Sequence, residues 1–224
     1  MDTVNIGLIR VLTLTDQNKI DRHGSIIENA FPGLTVTSGC IRNQPQGLHD
    51  KASEEAAKPK IISLAKELAK GVDAIIVSCA ADPAVAELKG MLNIPVLGAG
   101  ESLAAVSRVV GDCAGVLTIT DDVPSPVSTG LQGRCLAWAK VAGVKTTLDL
   151  EGEGIVARAV DAANDLKNRG SDVIALACTG FSTIGVASMI GREVGIPVID
   201  PVLAVGSMAY FLMMHREGRE RAKD

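Results

Sequence analysis

Apolar positions in this chain fall into short runs, and most of these runs are separated by segments with the apolar spacing of a helix. The runs predict strands at residues 4–12, 34–41, 73–78, 94–98, 114–119, 144–149, 172–177 and 196–199. The intervening patterns predict helices at residues 16–30, 52–70, 83–92, 100–110, 125–141, 155–169, 182–194 and 201–216. Strands that alternate with helices are typical of right-handed βαβ units and parallel sheets, so the predicted fold class is α/β.

The pattern also contains a repeat. Residues 71–79 (GVDAIIVSC) recur as residues 170–178 (GSDVIALAC). Each copy is followed by about one helix length and then by the sequence Ile-Pro-Val, at residues 94–96 and 196–198. Both halves therefore have the order strand, cysteine turn, helix, strand. We predict two similar lobes that face each other and bring their terminal cysteines to one cleft.

Composition narrows the classes of partner. The chain has 224 residues, 47% hydrophobic content and only 2% aromatic residues. A chain of this length and composition can bury a large core built from Val, Ile, Leu and Ala. Such a composition is typical of strands that are covered on both faces. A net charge of -4, with no basic stripe before the C-terminal tail, argues against a nucleic-acid partner. The predicted partner is a small molecule.

Location and metal content follow from other parts of the sequence. The N-terminus lacks a cationic region and its apolar run is interrupted at Arg10, so we predict no signal peptide. The apolar stretch 202–214 is too short to span a membrane. Five cysteines without a Cys-x-x-Cys pair fit neither a disulfide framework nor a zinc cage. We therefore predict a cytoplasmic protein with free thiols, no metal and no membrane partner.

The repeated cysteines stand where a parallel sheet binds ligands. Ligands bind beyond the carboxyl ends of the strands, where helix N-termini point unsatisfied N–H groups. Cys79 and Cys178 both stand at such a position, and a helix N-terminus lowers the pKa of a thiol. A thiolate and a thiol on opposite sides of a flat carbanion can remove a proton from one face and return one to the other. The sequence therefore indicates racemisation or epimerisation, without a cofactor if a carbonyl beside the α-carbon takes up the charge.

A cysteine at the end of a buried strand can also be a small hydrophobic residue with no chemical role. The repeat favours catalysis, because small residues follow each thiol, Ala80 and Ala81 in the first half and Thr179 and Gly180 in the second. We expect these small residues to line the substrate site, where backbone amides would stabilise an enolate oxygen. Three cysteines lack this setting and are interpreted as structural: Cys40, Cys113 and Cys135.

Other polar residues close the predicted strands or follow them. Arg10 is a charge at the end of an apolar strand, and a buried charge must be paired. Its partner is either an acid such as Asp200 or a carboxylate or carbonyl group of the substrate. In the second half, Thr118 and Thr120 would either contact the substrate through their hydroxyls or cap local backbone. Asp82, which precedes a proline, is interpreted as the N-cap of the next helix.

Three segments resemble motifs of the aspartate/glutamate/hydantoin racemase superfamily, and the hydantoin racemase branch most. Residues 78–83 (SCAADP) are similar to the Cys-x-x-Asp-Pro motif of that branch, and residues 177–181 (ACTGF) are similar to its Cys-[Ala/Thr]-Gly-Met motif. Residues 196–200 (IPVID) add a weaker likeness. The resemblance implies two flavodoxin-like lobes related by a pseudo-twofold axis, each with a parallel sheet flanked by helices. It implies cofactor-independent two-base chemistry by Cys79 and Cys178 and a homo-oligomer.

The resemblance also implies how the chain is divided and what it acts on. The first lobe would contain residues 1–98 and 201–224, since the last helix would pack back onto it, and the second would contain residues 99–200. The expected substrate is a 5-substituted hydantoin or a related amino-acid derivative. Hydantoin racemases usually carry Asn-Pro-Asn at the end of the first strand, whereas this chain has Arg10 followed by Val and Leu. An arginine there suits an anionic group.

Other functions stay open at this point. Glutamate racemases follow their cysteines with Asn-Thr and Thr-His, which this chain lacks, so an aspartate- or glutamate-type amino-acid racemase is an alternative rather than the first expectation. A decarboxylase or cis/trans isomerase of the superfamily would use one cysteine, and two are found here. A non-enzymatic alternative is a protein that closes two lobes on a metabolite.

Overall fold

Two four-stranded parallel sheets with helices around them make up the computed structural model, which describes residues 3–221 except the side chains of residues 135, 136, 213 and 216–221. The first sheet contains β1 (Val4–Arg10), β2 (Leu34–Cys40), β3 (Ala74–Ser78) and β4 (Val96–Gly98), in the order β2-β1-β3-β4. The second contains β5 (Ala114–Thr118), β6 (Cys135–Lys140), β7 (Val173–Leu176) and β8 (Val198–Ile199), in the order β6-β5-β7-β8. The two orders correspond strand for strand, so the predicted α/β fold with two similar flavodoxin-like lobes is confirmed.

Helices connect the strands and cover both sheets. They are α1 (Gln17–Ala30), α2 (Lys51–Leu68), α3 (Val85–Met91), α4 (Ala99–Val110), α5 (Ser125–Gly130), α6 (Ile155–Asn168), α7 (Gly180–Ile184), α8 (Ala187–Val194), α9 (Pro201–Arg221) and a 3₁₀ helix, Thr147–Glu151. Asp50 begins α2 by accepting the backbone N–H of Ser53, whose hydroxyl accepts the Asp50 N–H in return. Within residues 3–221, none of the helices is both long and apolar enough to cross a membrane.

The central strands of each sheet, β1, β3, β5 and β7, are buried on both faces, which explains why the sequence shows continuous apolar runs there rather than alternation. Every residue of β3 and of β5 is buried. The last helix packs back onto the first sheet, where Val202, Val205 and Ala209 share a core cluster with Ile6 and Leu8 of β1. Helix α9 also packs against α1 and α4.

The structure corrects the prediction for residues 125–149. We predicted a long helix at 125–141 and a strand at 144–149, whereas α5 ends at Gly130 and residues 135–140 form β6. Gly133 has a φ of 76°, a left-handed conformation that interrupts a helix. The residues after it pair with β5, which would otherwise leave its N–H and C=O groups without a partner on that side. The predicted strand at 144–149 is replaced by a loop and the 3₁₀ helix.

Two further predictions about helix ends are revised. Asp82 does not cap the helix that follows it in sequence, because α3 begins only at Val85 and has no side-chain cap. Its carboxylate instead accepts the backbone N–H groups of Gly100 and Glu101, both at 2.7 Å, and so caps α4 from a distance in sequence. The helix predicted at 182–194 is divided into α7 and α8 at Gly185, which has a φ of 69°.

Candidate active site

A cavity of about 710 Å³ lies between the two sheets, beside the carboxyl ends of their strands. Its walls come from the segments that follow β1 and β3 in the first lobe and β5 and β7 in the second. The start of α2 and the 3₁₀ helix complete the lining. Because parallel α/β sheets bind ligands at this edge, we identify the cavity as the candidate active site.

The structure brings most of the predicted site residues to this cavity. Those that line it are Arg10, Cys79, Ala80, Ala81, Thr120, Cys178, Thr179 and Gly180. Thr118 is not among the lining residues and is fully buried. Its hydroxyl lies 2.9 Å from that of Thr120 and accepts the Thr120 backbone N–H. The Thr118 hydroxyl therefore makes the local backbone contact at the end of β5 that was the second role considered for it.

Cys178 begins the turn that leads from β7 into α7. Its Sγ accepts the backbone N–H of Gly180 at 3.4 Å and lies 3.8 Å from the hydroxyl oxygen of Thr147. Burial raises the pKa of the Cys178 thiol above its ordinary value. The Gly180 N–H, the Thr147 hydroxyl, the Phe181 N–H and the Arg10 charge oppose this shift, in that order, because each stabilises the thiolate.

Cys79 occupies the equivalent turn after β3. Burial raises the pKa of the Cys79 thiol well above its ordinary value, and the backbone N–H of Ala81 opposes that shift. Negative charge on Cys178, Asp82 and Glu54 adds to the rise in pKa. The two thiols are therefore close enough for the ionisation of one to make ionisation of the other more difficult.

These pKa shifts correct the expectation that helix N-termini lower the pKa of both cysteines. The backbone N–H groups act in the expected direction, but loss of water around each sulfur outweighs them. In the free protein each cysteine therefore ionises at a higher pH than an exposed thiol does. A thiolate with a raised pKa is a stronger base once it forms, so the shift favours proton abstraction from carbon while reducing the ionised fraction.

His23 connects the two cysteine turns, and the sequence analysis gave it no role. The imidazole is buried on α1, with Nδ1 2.8 Å from the hydroxyl oxygen of Ser78 and Nε2 2.8 Å from that of Thr183. The Thr179 hydroxyl donates to the Ser78 carbonyl at 3.2 Å. Ser78 precedes the first catalytic candidate and Thr179 follows the second. The network therefore links the turns across the lobe boundary.

Two residues that sequence reasoning missed lie beside the sulfur atoms. Thr147 belongs to the segment predicted as a strand, so the sequence gave no signal that its hydroxyl would face Cys178. Glu54 lines the cavity from the first turns of α2, and burial raises the pKa of its carboxyl. For His23 a signal existed, because it is four positions before Ile27 and so shares the buried face of α1.

Arg10 ends β1 and is only 5% exposed. Its Nη1 donates to the backbone carbonyls of Lys19 at 2.7 Å and Ile20 at 3.5 Å. The ion pair with Asp200 that we considered is not formed. Asp200 instead accepts hydrogen bonds from the Ser182 hydroxyl at 2.7 Å and from the backbone N–H groups of Val202 and Leu203, and so acts as the N-cap of α9.

The fold and the paired thiols can now be compared with known proteins. A family model described as Asp/Glu/Hydantoin racemase matches residues 25–209, a range that contains both cysteine turns. The chain belongs to the Asp/Glu/hydantoin racemase family. That membership agrees with the resemblance seen in the sequence motifs.

Within this family, two curated relatives and one solved structure are similar to the chain. A hydantoin racemase from Pseudomonas sp. (strain NS671) is 28% identical over 175 residues, which are 71% of this chain and 66% of the relative. A hydantoin racemase from Paenarthrobacter aurescens is 27% identical over 152 residues, 63% and 61% of the two chains. The chain thus matches slightly less than two thirds of the length of these relatives. An allantoin racemase from Klebsiella pneumoniae shares the fold, with a TM-score of 0.80, 23% identity, and coverage of 95% and 88% of the two chains.

Proposed function

We propose that the protein is a cofactor-independent racemase that exchanges the proton on an α-carbon beside a carbonyl. Cys79 and Cys178 act as the paired acid and base. The substrate class is a 5-substituted hydantoin or a related amino-acid derivative. One observation carries the proposal, namely that thiols at equivalent positions of two related lobes line the same cavity.

The proposed reaction balances without an added reagent. One cysteine, as the thiolate, takes the α-proton, and the electron pair of the broken C–H bond moves into the adjacent carbonyl as an enolate. The other cysteine, as the thiol, gives its proton to the opposite face and becomes the thiolate. The carbon centre is inverted and one thiolate and one thiol remain, so the enzyme is ready for the opposite enantiomer.

The groups around the two sulfur atoms indicate which of the two cysteines forms the thiolate more readily in the free enzyme. Thiolate at Cys178 is stabilised by the Gly180 N–H, the Thr147 hydroxyl and the Arg10 charge. Thiolate at Cys79 has the Ala81 N–H but faces negative charge from Asp82 and Glu54. We therefore propose that Cys178 is the first of the two thiols to ionise and that Cys79 stays protonated when it does. This assignment concerns the free enzyme, since each turnover exchanges the two states.

The test follows the α-proton and the stereocentre together. Single enantiomers of 5-substituted hydantoins, allantoin, and acidic and neutral amino acids are incubated with the protein in D2O. Proton NMR follows loss of the α-proton and polarimetry follows optical rotation. The Cys79→Ser, Cys178→Ser double variant serves as the blank, because 5-substituted hydantoins also exchange slowly without an enzyme.

Protein-dependent exchange accompanied by decay of optical rotation is the expected result for at least one hydantoin. Absence of exchange above the blank with every compound would contradict the racemase proposal. Loss of carbon dioxide from a carboxylated compound without exchange of the intact substrate would indicate a decarboxylase instead. The cytoplasmic location and the homo-oligomer stay predictions from the sequence, which fractionation and light scattering would test.

A further inference from the structure

Arg10 carries a charge that its surroundings do not balance. The side chain lines both the main cavity and a smaller one of about 110 Å³ beside it. Among the described residues, no carboxylate lies within ion-pair distance, 4.0 Å, of the guanidinium group. The two acceptors it has are neutral backbone carbonyls. Burial lowers the pKa of Arg10 to about 10, so the group is nevertheless a cation at neutral pH.

Part of the hydrogen-bonding capacity of Arg10 is also unused. A guanidinium group has five N–H bonds. Both recorded hydrogen bonds come from Nη1, while Nε is buried without an acceptor among the described residues. Nη2 likewise donates to no described residue. A buried donor without a partner costs free energy, and a buried cation without a counter-ion costs more.

The acidic residues of the cavity do not fill this role. Asp50 is occupied at the N-terminus of α2, and Asp121 pairs with Lys140 at 2.6 Å. Asp122 and Glu54 also line the cavity, but neither is within ion-pair distance of Arg10. Cys178, which also lines the cavity, interacts favourably with Arg10 once it ionises to the thiolate. Among the described residues, no carboxylate is therefore positioned to neutralise Arg10, and an anionic group of a ligand would do so.

We propose that Arg10 binds a carboxylate group of the substrate, so that the enzyme acts on hydantoins or related derivatives with an acidic side chain. This inference rests on the proposed racemase function and names its substrate class. A guanidinium group presents N–H bonds in a planar fork that matches a carboxylate, and such charge-assisted pairs are stronger than neutral hydrogen bonds. The Arg10 charge also lies close enough to Cys178 to favour its thiolate. Because both residues line the same cavity, a carboxylate bound by Arg10 would lie in the same cavity as the reacting carbon.

The test uses two substrates that differ by one charge. 5-(Carboxymethyl)hydantoin carries a carboxylate, and 5-(carbamoylmethyl)hydantoin replaces it by a neutral amide of nearly the same size. Binding of each single enantiomer is measured by calorimetry and α-proton exchange by NMR. We expect the wild-type protein to prefer the carboxylate by about 10- to 100-fold in Kd and in kcat/KM, the range of a hydrogen bond to a charged group.

Three variants locate the preference. Arg10→Gln should remove it, lowering kcat/KM for the carboxylate by about 10- to 100-fold and for the amide far less. Arg10→Lys keeps the positive charge but lacks the planar set of guanidinium N–H bonds, so it should retain part of the preference for the carboxylate over the amide. Arg22→Gln removes an exposed cation of α1 that does not line the cavity, and should leave the preference unchanged. Circular dichroism and thermal unfolding establish that each variant folds.

Binding and exchange separate the two proposals. Tighter binding of the carboxylate that depends on Arg10 supports the anion site even if neither compound exchanges its proton, in which case only the racemase proposal fails. Equal affinity of the wild-type protein for the carboxylate and the amide would overturn the anion site. Exchange of the α-proton of both compounds would in that case still support the racemase proposal. An equal loss for both substrates in Arg10→Gln would also overturn it, because Arg10 would then act through the Cys178 thiolate or the fold.

Discussion

His23 and Thr183 are 160 positions apart in the chain, yet the imidazole Nε2 of one lies 2.8 Å from the hydroxyl oxygen of the other. The opposite ring nitrogen of His23 lies 2.8 Å from the hydroxyl of Ser78. One side chain of the first lobe thus connects Ser78, the last residue of β3 before Cys79, with α7, the helix that follows Cys178. Two-base chemistry requires a fixed distance between acid and base, and this contact joins the segments that set it.

The cysteines give the first prediction. Cys79→Ser and Cys178→Ser should each lower kcat/KM for racemisation by about 10²- to 10⁴-fold, since a hydroxyl is far less acidic than a thiol and does not form the base. Polarimetry on a single enantiomer measures the loss, and circular dichroism checks that the fold is kept. Cys113→Ser is the matched control, because Cys113 does not line the cavity. Full activity in either active-site variant would contradict the two-base mechanism.

The pH dependence of racemisation gives the second. The pKa of both thiols is raised by burial, so the fraction with one thiolate is small at neutral pH and grows as the pH rises. We expect kcat/KM to increase continuously from pH 7 to pH 9, as for an ionisation whose pKa lies above the ordinary value of a thiol. Steady-state rates at constant ionic strength measure this. A flat profile over that range would show that the thiolate is already formed at neutral pH.

Thr147 gives a third prediction, which separates the two thiols. Its hydroxyl lies 3.8 Å from the Cys178 sulfur and favours the thiolate. Thr147→Val keeps the shape and removes the hydroxyl, so the rising limb of kcat/KM should move to higher pH, whereas Thr147→Ser should restore it. Thr146→Val is the control, because the Thr146 hydroxyl bonds Asp149 instead. An unchanged pH profile in Thr147→Val would argue against Cys178 as the first of the two thiols to ionise.

The fourth prediction concerns the role of His23 in positioning the two cysteines. His23→Phe removes the hydrogen bond to Ser78 and the one to Thr183 across the lobe boundary, and misplacement of catalytic groups by about 1 Å can cost about 10²-fold in rate. We expect kcat to fall by about that factor with a smaller change in KM, and His23→Gln to recover part of it through an amide that can still bond. Ser78→Ala combined with Thr183→Val should lose less than the sum of the single changes, since both act through His23. Strictly additive losses would exclude a shared network.

The fifth prediction concerns the stability of the fold at acidic pH, which also depends on His23. Burial lowers the pKa of its imidazole well below the ordinary value, and the charges of Arg10 and Arg22 lower it further. The unfolded chain therefore binds a proton below about pH 6.5 that the folded protein does not, so the free energy of unfolding falls by about 1.4 kcal/mol per pH unit as the pH decreases. Urea unfolding between pH 7 and pH 5 measures the slope. His23→Gln should show a smaller slope by about that amount, and equal slopes would refute the assignment.

Much of the architecture follows from local sequence. Apolar runs and helical spacing placed seven of the eight strands of the described region, because the central strands are buried on both faces and consist mostly of apolar residues. The repeat around the two cysteines was sufficient to predict two similar lobes. β6 was missed because its sequence, CLAWAK, contains no β-branched residue and no clear alternation, and pairing with β5 decides its conformation.

The chemistry of the site divides in the same way. Sequence alone placed Cys79, Cys178 and Arg10 at strand ends, since the carboxyl ends of parallel strands share one edge of a sheet. The tertiary structure decided the ionisation of both thiols, because loss of water around a sulfur depends on how residues distant in the chain pack over it. It also decided that His23 bridges the lobes and that, among the described residues, no carboxylate pairs with Arg10. The local sequence does not contain the contact between His23 and Thr183, because these residues are 160 positions apart and meet only when the two lobes pack together.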